Sequence, residues 1–313
     1  MRPERLARAC VVAMLAFTAC GSEAEPAPPA PAATEAATEA PATAAPPAET
    51  PADPPPDTGG ASPAINSVTV DPGDGTIMVG SGPALYRLKP GAKEAEQLTG
   101  RLDGGTVSGN LVVRFAGPGD LLASGHPQEG ALPENLGLIR SSDHGETWQK
   151  VQGPEADYHE LEIAGRQIIG VNAESPDIQV SSDGGATFES RTPPAAPIDV
   201  VVNPADPQQW AVSTEQGTFM SSNGGRSWRP RDTTFGARLA WPSKDALYSV
   251  DRNGKVRVSV DSGRTWDERG EVGGLPSELS VGRRNEVLAA VVGAKLRRTK
   301  DGGRTWATVA TLS

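Results

Sequence analysis

The eight residues at 141–148, Ser-Ser-Asp-His-Gly-Glu-Thr-Trp, crowd hydroxyls, carboxylates and an imidazole into little more than two turns of chain. These are the groups of nucleophilic and general acid–base catalysis. A second concentration lies in two later stretches. Residues 124–137 carry His126, Glu129, Glu134 and Asn135, and residues 153–160 carry Glu155, Asp157, Tyr158, His159 and Glu160. Two of the three histidines of the chain are here. Such residues suit a ligand pocket, a carboxylate pair, or a His/Asp metal site. No His-x-His or Glu-x-x-His spacing supports the metal, and no phosphate-cradling glycine loop or Ser-His-Asp order is evident. The expectation is therefore no metal and no cofactor.

The elements that position these groups announce themselves by repetition. The 141–148 segment recurs at 181–188, 221–228, 259–266 and 299–306, as Ser/Thr-x-Asp-x-Gly-x-Thr-Trp. Its third and eighth positions are Asp143 and Trp148, Asp183 and Phe188, Asn223 and Trp228, Asp261 and Trp266, Asp301 and Trp306. The aromatics stand 40, 40, 38 and 40 residues apart. A fixed period of this size marks stacked supersecondary units. Five copies around a ring are scaffold, not five active sites. The carboxylate is expected to accept bonds from turn N–H groups, the glycine to supply positive φ, and the aromatic to wedge between units. His144 is expected to be an exposed filler, and Arg226, Arg264 and Arg304 solvated turn residues.

Each unit reads as four short strands separated by Gly, Pro, Asn and Asp turns, which is a β-propeller blade. A further unit at 65–98 keeps the rhythm with a decayed box that retains only Gly91. The fold expected is all-β: a six-bladed propeller over residues 63–313, each blade one contiguous stretch, closed by packing of blade 1 on blade 6. Tyr86, Trp210, Trp241 and Tyr248 are expected in the core.

The N-terminal region reads differently. Three arginines precede a short apolar run and Ala19-Cys20-Gly21, which marks residues 1–20 as a signal peptide. Residues 21–62, nearly all Ala, Pro, Thr and Glu, read as a disordered tether. Residues 63–313 hold 31 acidic and 26 basic residues, a mild −5 that argues against nucleic acid as a partner. With Cys10 in the signal, the folded part holds no cysteine and must be held by its core.

Two resemblances follow. The end of the apolar run resembles a bacterial lipobox, which implies diacylation of Cys20 and a membrane-anchored protein; release from the cell is the alternative. The repeated segments resemble the Asp boxes of the BNR propellers, a group that includes sialidases and other glycosidases beside many non-enzymes. The stretches 121–127, 134–148 and 156–161 are similar to a branch of bacterial lipoproteins labelled glycosyl-hydrolase-like. That resemblance implies sugar hydrolysis, but a sialidase needs an arginine triad and a Tyr–Glu pair that this chain does not display. The arginine around 112–119 has the wrong neighbours, and only Tyr158 sits among carboxylates.

In a propeller the boxes occupy one face, so function belongs on the other. The 124–137 insertion and the 153–160 link emerge there, beside each other at the channel mouth. Expected ligand contacts are His126, Asn135 and His159, and expected catalytic candidates are Glu134, Asp157, Tyr158 and Glu160. Three readings remain open: binding of a glycan, small molecule or protein; exo-sialidase-like hydrolysis of extracellular glycans; or assembly of an envelope complex. Facing carboxylates in the mouth favour hydrolysis, an apolar and neutral lining favours binding, and a large apolar rim patch favours assembly. A monomer is expected.

Overall fold

The computed structural model describes residues 64–312 apart from 83, 128–131, 154, 174 and 292, with the side chain of residue 285 also left aside. The expected signal peptide, Cys20 and the tether lie outside the described residues. Within them, six four-stranded antiparallel sheets form a six-bladed β-propeller, as the repeat period requires. The innermost strands are Ile65–Val70, Gly109–Gly117, Tyr158–Ala164, Pro197–Asn203, Arg238–Ser243 and Pro276–Val281. Each innermost strand packs on the next, and the first packs on the sixth, so the ring closes without any blade sharing strands between chain ends.

Strand alternation explains how the blades adhere. Successive side chains point to opposite sheet faces, and each face meets a different neighbouring blade. Val200 and Val202 join Ile169, Ile178 and Trp210 between blades 3 and 4. Val201, between them, joins Leu239 and Trp241 between blades 4 and 5. Blades 1 and 6 are sealed the same way, with Ile65, Val79 and Leu88 against Leu288, Leu296 and Leu312. Tyr86, Trp210, Trp241 and Tyr248 are all buried in these seams.

The box turns share one geometry. The first-position hydroxyl donates to the carboxylate or amide oxygen two residues on, at 2.7–2.9 Å. That same hydroxyl oxygen accepts the N–H of the fifth-position glycine, at 2.7–2.9 Å. The carboxylate in turn accepts the threonine N–H and hydroxyl in the four boxes that carry an aspartate. Positions four and five both take positive φ in every box. Glycine fills position five throughout. A Cβ on Gly225 would lie 2.8 Å from the Trp210 ring, so conformation and space both demand its absence there.

His144 corrects an expectation. It occupies position four with φ 59, a conformation that glycine takes in three of the other boxes. It is half-buried, and its Nε2 lies 2.8 Å from Asp71 Oδ2 of blade 1. An interblade tether thus offsets local strain, where sequence suggested a free surface residue. Arg226, Arg264 and Arg304 each donate to a carbonyl of their own box and stay exposed.

One element was not anticipated. A small hairpin, Gly100–Leu102 with Gly105–Val107, sits between blades 1 and 2. Its Arg101 backbone brackets the second blade's box, accepting from Trp148 N and donating to Glu146 O. Leu102 and Val107 join Trp148, Met78 and Leu85 in the seam between those blades. From the 124–137 insertion, Leu132 packs over this hairpin at Gly105.

Candidate functional site

The face opposite the boxes carries the N-terminal ends of the innermost strands. His126 stands near the end of blade 2's second strand, Asp120–Pro127, paired with Asn110 of the first. His159 lies on blade 3's first strand, at a bulge between Tyr158 and Glu160. Without a bulge, Tyr158 and Leu161 would point to opposite faces; with it, both are buried in the seam between blades 2 and 3. His159 is left exposed at the rim, and Glu160 turns into the channel.

The structure brings His126, Asp157 and His159 together. The two rings meet edge-on with centroids 6.0 Å apart. Asp157 is buried between them, with Oδ1 3.4 Å from His126 Nε2 and Oδ2 3.2 Å from His159 Nε2. The backbone around Asp157 is fixed: its carbonyl accepts Ala173 N at 2.8 Å, and the next N–H donates to Ser124 Oγ at 3.0 Å. His126 Nδ1 is 3.3 Å from the Glu134 carbonyl oxygen.

The other candidates part company with this trio. Glu134 contributes that backbone carbonyl, while its carboxylate is exposed. Asn135 is half-buried in the same loop and does not line the cavity described below. Tyr158 is buried against Phe188, and its hydroxyl donates to Gln152 Oε1 at 3.0 Å. Burial pushes the phenol up to about 12, so it holds its proton at neutral pH. Glu160 is paired with cations: Oε1 lies 2.5 Å from Arg114 Nη2 and also accepts Leu161 N, while Oε2 faces Arg238 at 3.7 Å.

Beside the trio, a cavity of about 440 Å³ opens at the channel mouth. Asn66, Asn110, His126, His159, Arg238 and Ser277 supply its polar groups, with Ile65, Val112 and Ile198 as apolar wall. Asn66 Nδ2 donates to Asn110 Oδ1, which ties blades 1 and 2 at the rim. Among the described lining residues there is no carboxylate.

Beneath the mouth lies a charge cluster that sequence reasoning missed. Ser67 Oγ bonds both Leu111 O and Val113 N, which sets Ser67 level with Val112. In the same way Thr69 accepts Phe115 N, level with Arg114, and Asp199 accepts Leu239 N, level with Arg238. The inner strands therefore stack channel-facing residues in tiers, and the tiers hold Glu160, Asp199, Arg238 and Glu278 with Arg114 and Glu162. Burial works against charge on Arg114, but Glu278 and Glu160 outweigh it and hold the guanidinium ionised. Burial drives Glu162 up to about 8 and, with the Glu160 charge, Asp199 to about 7. Glu278 is raised well above the carboxylate range by burial and then by Glu160. The available signal was weak: single charges in otherwise apolar strands, such as Asp199 before Val200–Val202.

Glu162 and Asp199 also border a second cavity of about 200 Å³ toward the box face, with Phe115, Trp241 and Val281.

Comparison with known proteins bears on the fold. No protein-family model matches the chain, and no curated protein matches it in sequence. Solved structures do. The chain is similar to the GH74 xyloglucanase from Xanthomonas campestris, at 17% identity and TM-score 0.51 over 80% of this chain. It spans only 38% of that enzyme's length. It is similar to YCF48 bound to a D1 peptide, at 16% identity and TM-score 0.51, covering 72% of this chain and 74% of that one. It is similar also to the WD40 β-propeller domain of Doa1, at 12% identity and TM-score 0.54, covering 80% and 83%. At such identities the shared property is the propeller itself.

Proposed function

We propose that this protein is a ligand-binding β-propeller of the BNR/Asp-box type that holds a glycan or an extended peptide at the mouth opposite its boxes. The observation that carries the reading is the lining of that mouth: amides, imidazoles, one guanidinium and apolar wall, with no carboxylate among the described residues. Such a surface offers oriented hydrogen bonds and burial without an acid–base pair. YCF48, a propeller of comparable extent, binds a peptide, which supports a peptide among the ligand classes. The test is a glycan and peptide array probed with the full chain, then repeated with Asn110→Trp, which fills the mouth. Binding abolished by Asn110→Trp is expected. Hits that survive it move the site elsewhere.

Hydrolysis of glycosides is the second reading, favoured by one observation. Glu162 and Asp199 border the box-side cavity and hold protons near neutral pH, as a general acid must. Turnover of arrayed glycans, lost in Glu162→Gln, would establish it. An envelope-assembly role gains less: the exposed large apolar residues Phe235, Val260, Leu275 and Val281 are divided between the two faces.

We further propose that the chain is exported and anchored through a lipid on Cys20, with residues 21–62 as a tether that holds the domain off the surface. No helix among the described residues is long and apolar enough to cross a membrane. Metabolic palmitate labelling is expected to mark the wild type and not Cys20→Ser. An unlabelled wild type overturns the anchor and leaves release from the cell.

A further inference from the structure

We propose that His126, Asp157 and His159 form a binding site for a zinc-class divalent metal ion, whose remaining coordination position opens into the mouth cavity. This deepens the binding reading by naming one component of the site.

The geometry starts from His126. Its Nδ1 faces the Glu134 carbonyl, which can only accept, so Nδ1 carries the proton. In the neutral ring Nε2 then presents a lone pair, and what it faces at 3.4 Å is Asp157 Oδ1. Oδ1 is fully buried and has no hydrogen-bond partner. Two electron-rich atoms aimed at each other, the carboxylate oxygen of them fully buried, need a cation between them. His159 Nε2 completes the group at 3.2 Å from Oδ2, and all three ligand atoms lie within 4.8 Å of one another.

The 3.4 and 3.2 Å spacings, each to a different oxygen of Asp157, are in the range a bound metal sets. Zinc bonds nitrogen and oxygen at about 2.0–2.1 Å in a tetrahedron, which places its ligands about 3.3 Å apart. The donor set of two imidazoles and one carboxylate suits zinc and its first-row neighbours better than calcium or magnesium. The Glu134 carbonyl on His126 Nδ1 is the outer-shell contact that ligating histidines characteristically make. The ligands ride on strand ends pinned by Ser124 and Ala173, so little ordering is left for the ion to drive. Three protein ligands leave a vertex for water or for a donor atom of the cavity's ligand.

The experiment uses the full chain freed of metal by chelator and dialysis. Zinc is titrated by calorimetry, and cobalt(II) by visible absorption, where tetrahedral coordination gives intense bands. One zinc per chain, tetrahedral cobalt bands and a zinc-dependent rise in Tm are expected. His159→Gln, on an exposed side chain that the fold does not need, is expected to weaken zinc roughly 100-fold or more. Asp157→Asn keeps the shape and is expected to do the same. Absence of binding overturns the proposal, as does zinc binding that persists in a His126→Gln/His159→Gln double variant. A metal-free wild type whose His126 carries protons on both ring nitrogens at pH 7, with no cobalt bands, assigns the contact to an ion pair instead. A mouth ligand that binds the chelator-treated chain and the double variant as well as the wild type keeps the binding reading while sinking the metal, so the two fail separately.

Discussion

Arg114 of blade 2 and Glu278 of blade 6 meet inside the channel with Nη2 and Oε1 2.6 Å apart, although 164 residues separate them in the chain. Their blades both flank blade 1 and do not touch each other along the ring, so the contact spans the channel past that blade. The same Nη2 is bound by Glu160 of blade 3. One guanidinium thus ties three blades at the centre, while apolar seams hold the rest.

Removing that guanidinium leaves Glu160 with Arg238 alone as its counter-charge and takes from buried Glu278 its hydrogen-bond donor. Arg114→Met is expected to destabilise the fold by about 3–5 kcal/mol, read from denaturant unfolding. Adding Glu160→Gln and Glu278→Gln to it is expected to recover part of the loss. A single variant as stable as the wild type would show the pair to be incidental.

Stability is expected to peak in mildly acidic solution, from two groups of carboxylates with opposite signs. In the boxes, hydrogen bonds from Thr265 and Thr305 draw Asp261 and Asp301 down to about 2. A depressed folded-state pKa gives stability that is present above the ordinary carboxylate value and lost as pH falls toward 2. In the channel, Glu162 near 8 and Asp199 near 7 are raised. The folded state then binds more protons than the unfolded, so their contribution declines as pH rises from the ordinary carboxylate value toward 8. Tm measured against pH is expected to fall on both sides. Glu162→Gln is expected to flatten the alkaline limb alone; an unchanged limb would mean Glu162 titrates normally.

Ser141→Ala tests the box as scaffold. Ser141 is buried and its oxygen accepts the Gly145 N–H at 2.8 Å. The orphaned N–H is expected to cost about 1–3 kcal/mol. Ligand affinity at 25 °C should be unchanged, since the turn lies on the face away from the mouth. Loss of affinity with an unaltered melting curve would make the box functional.

Tyr158→Phe separates structure from nucleophile. It removes one hydrogen bond, to Gln152, from an otherwise apolar seam. A loss of about 1 kcal/mol is expected, with no change in any turnover. A large drop in turnover at full stability would restore Tyr158 to the chemistry.

The architecture was legible because its causes are local and repeated. A hydroxyl, a carboxylate and a glycine within five residues close a turn by themselves, and the aromatic at a constant interval states how often the turn recurs. Apolar runs such as Val200–Val202, buried on both sheet faces, then mark which strands are inside. The proximity of the two polar loops on the face away from the boxes followed from the same blade logic. His144 was misread because the left-handed backbone at the fourth box position is visible only once the chain is folded, and its partner Asp71 lies in another blade. What only the tertiary structure decided was the company each polar group keeps. The bulge at Tyr158–Glu160 sends one residue into a seam, the next to the rim and the third into the channel, and alternation alone gives no hint of it. Arg114, Asp199, Arg238 and Glu278 look like scattered charges along four strands. Ring closure brings those strands around one axis, and in that low-dielectric space scattered charges become a single network. Residue types record the chemistry available to a chain; the partner that buries, neutralises or aims each group is set by contacts far apart in sequence.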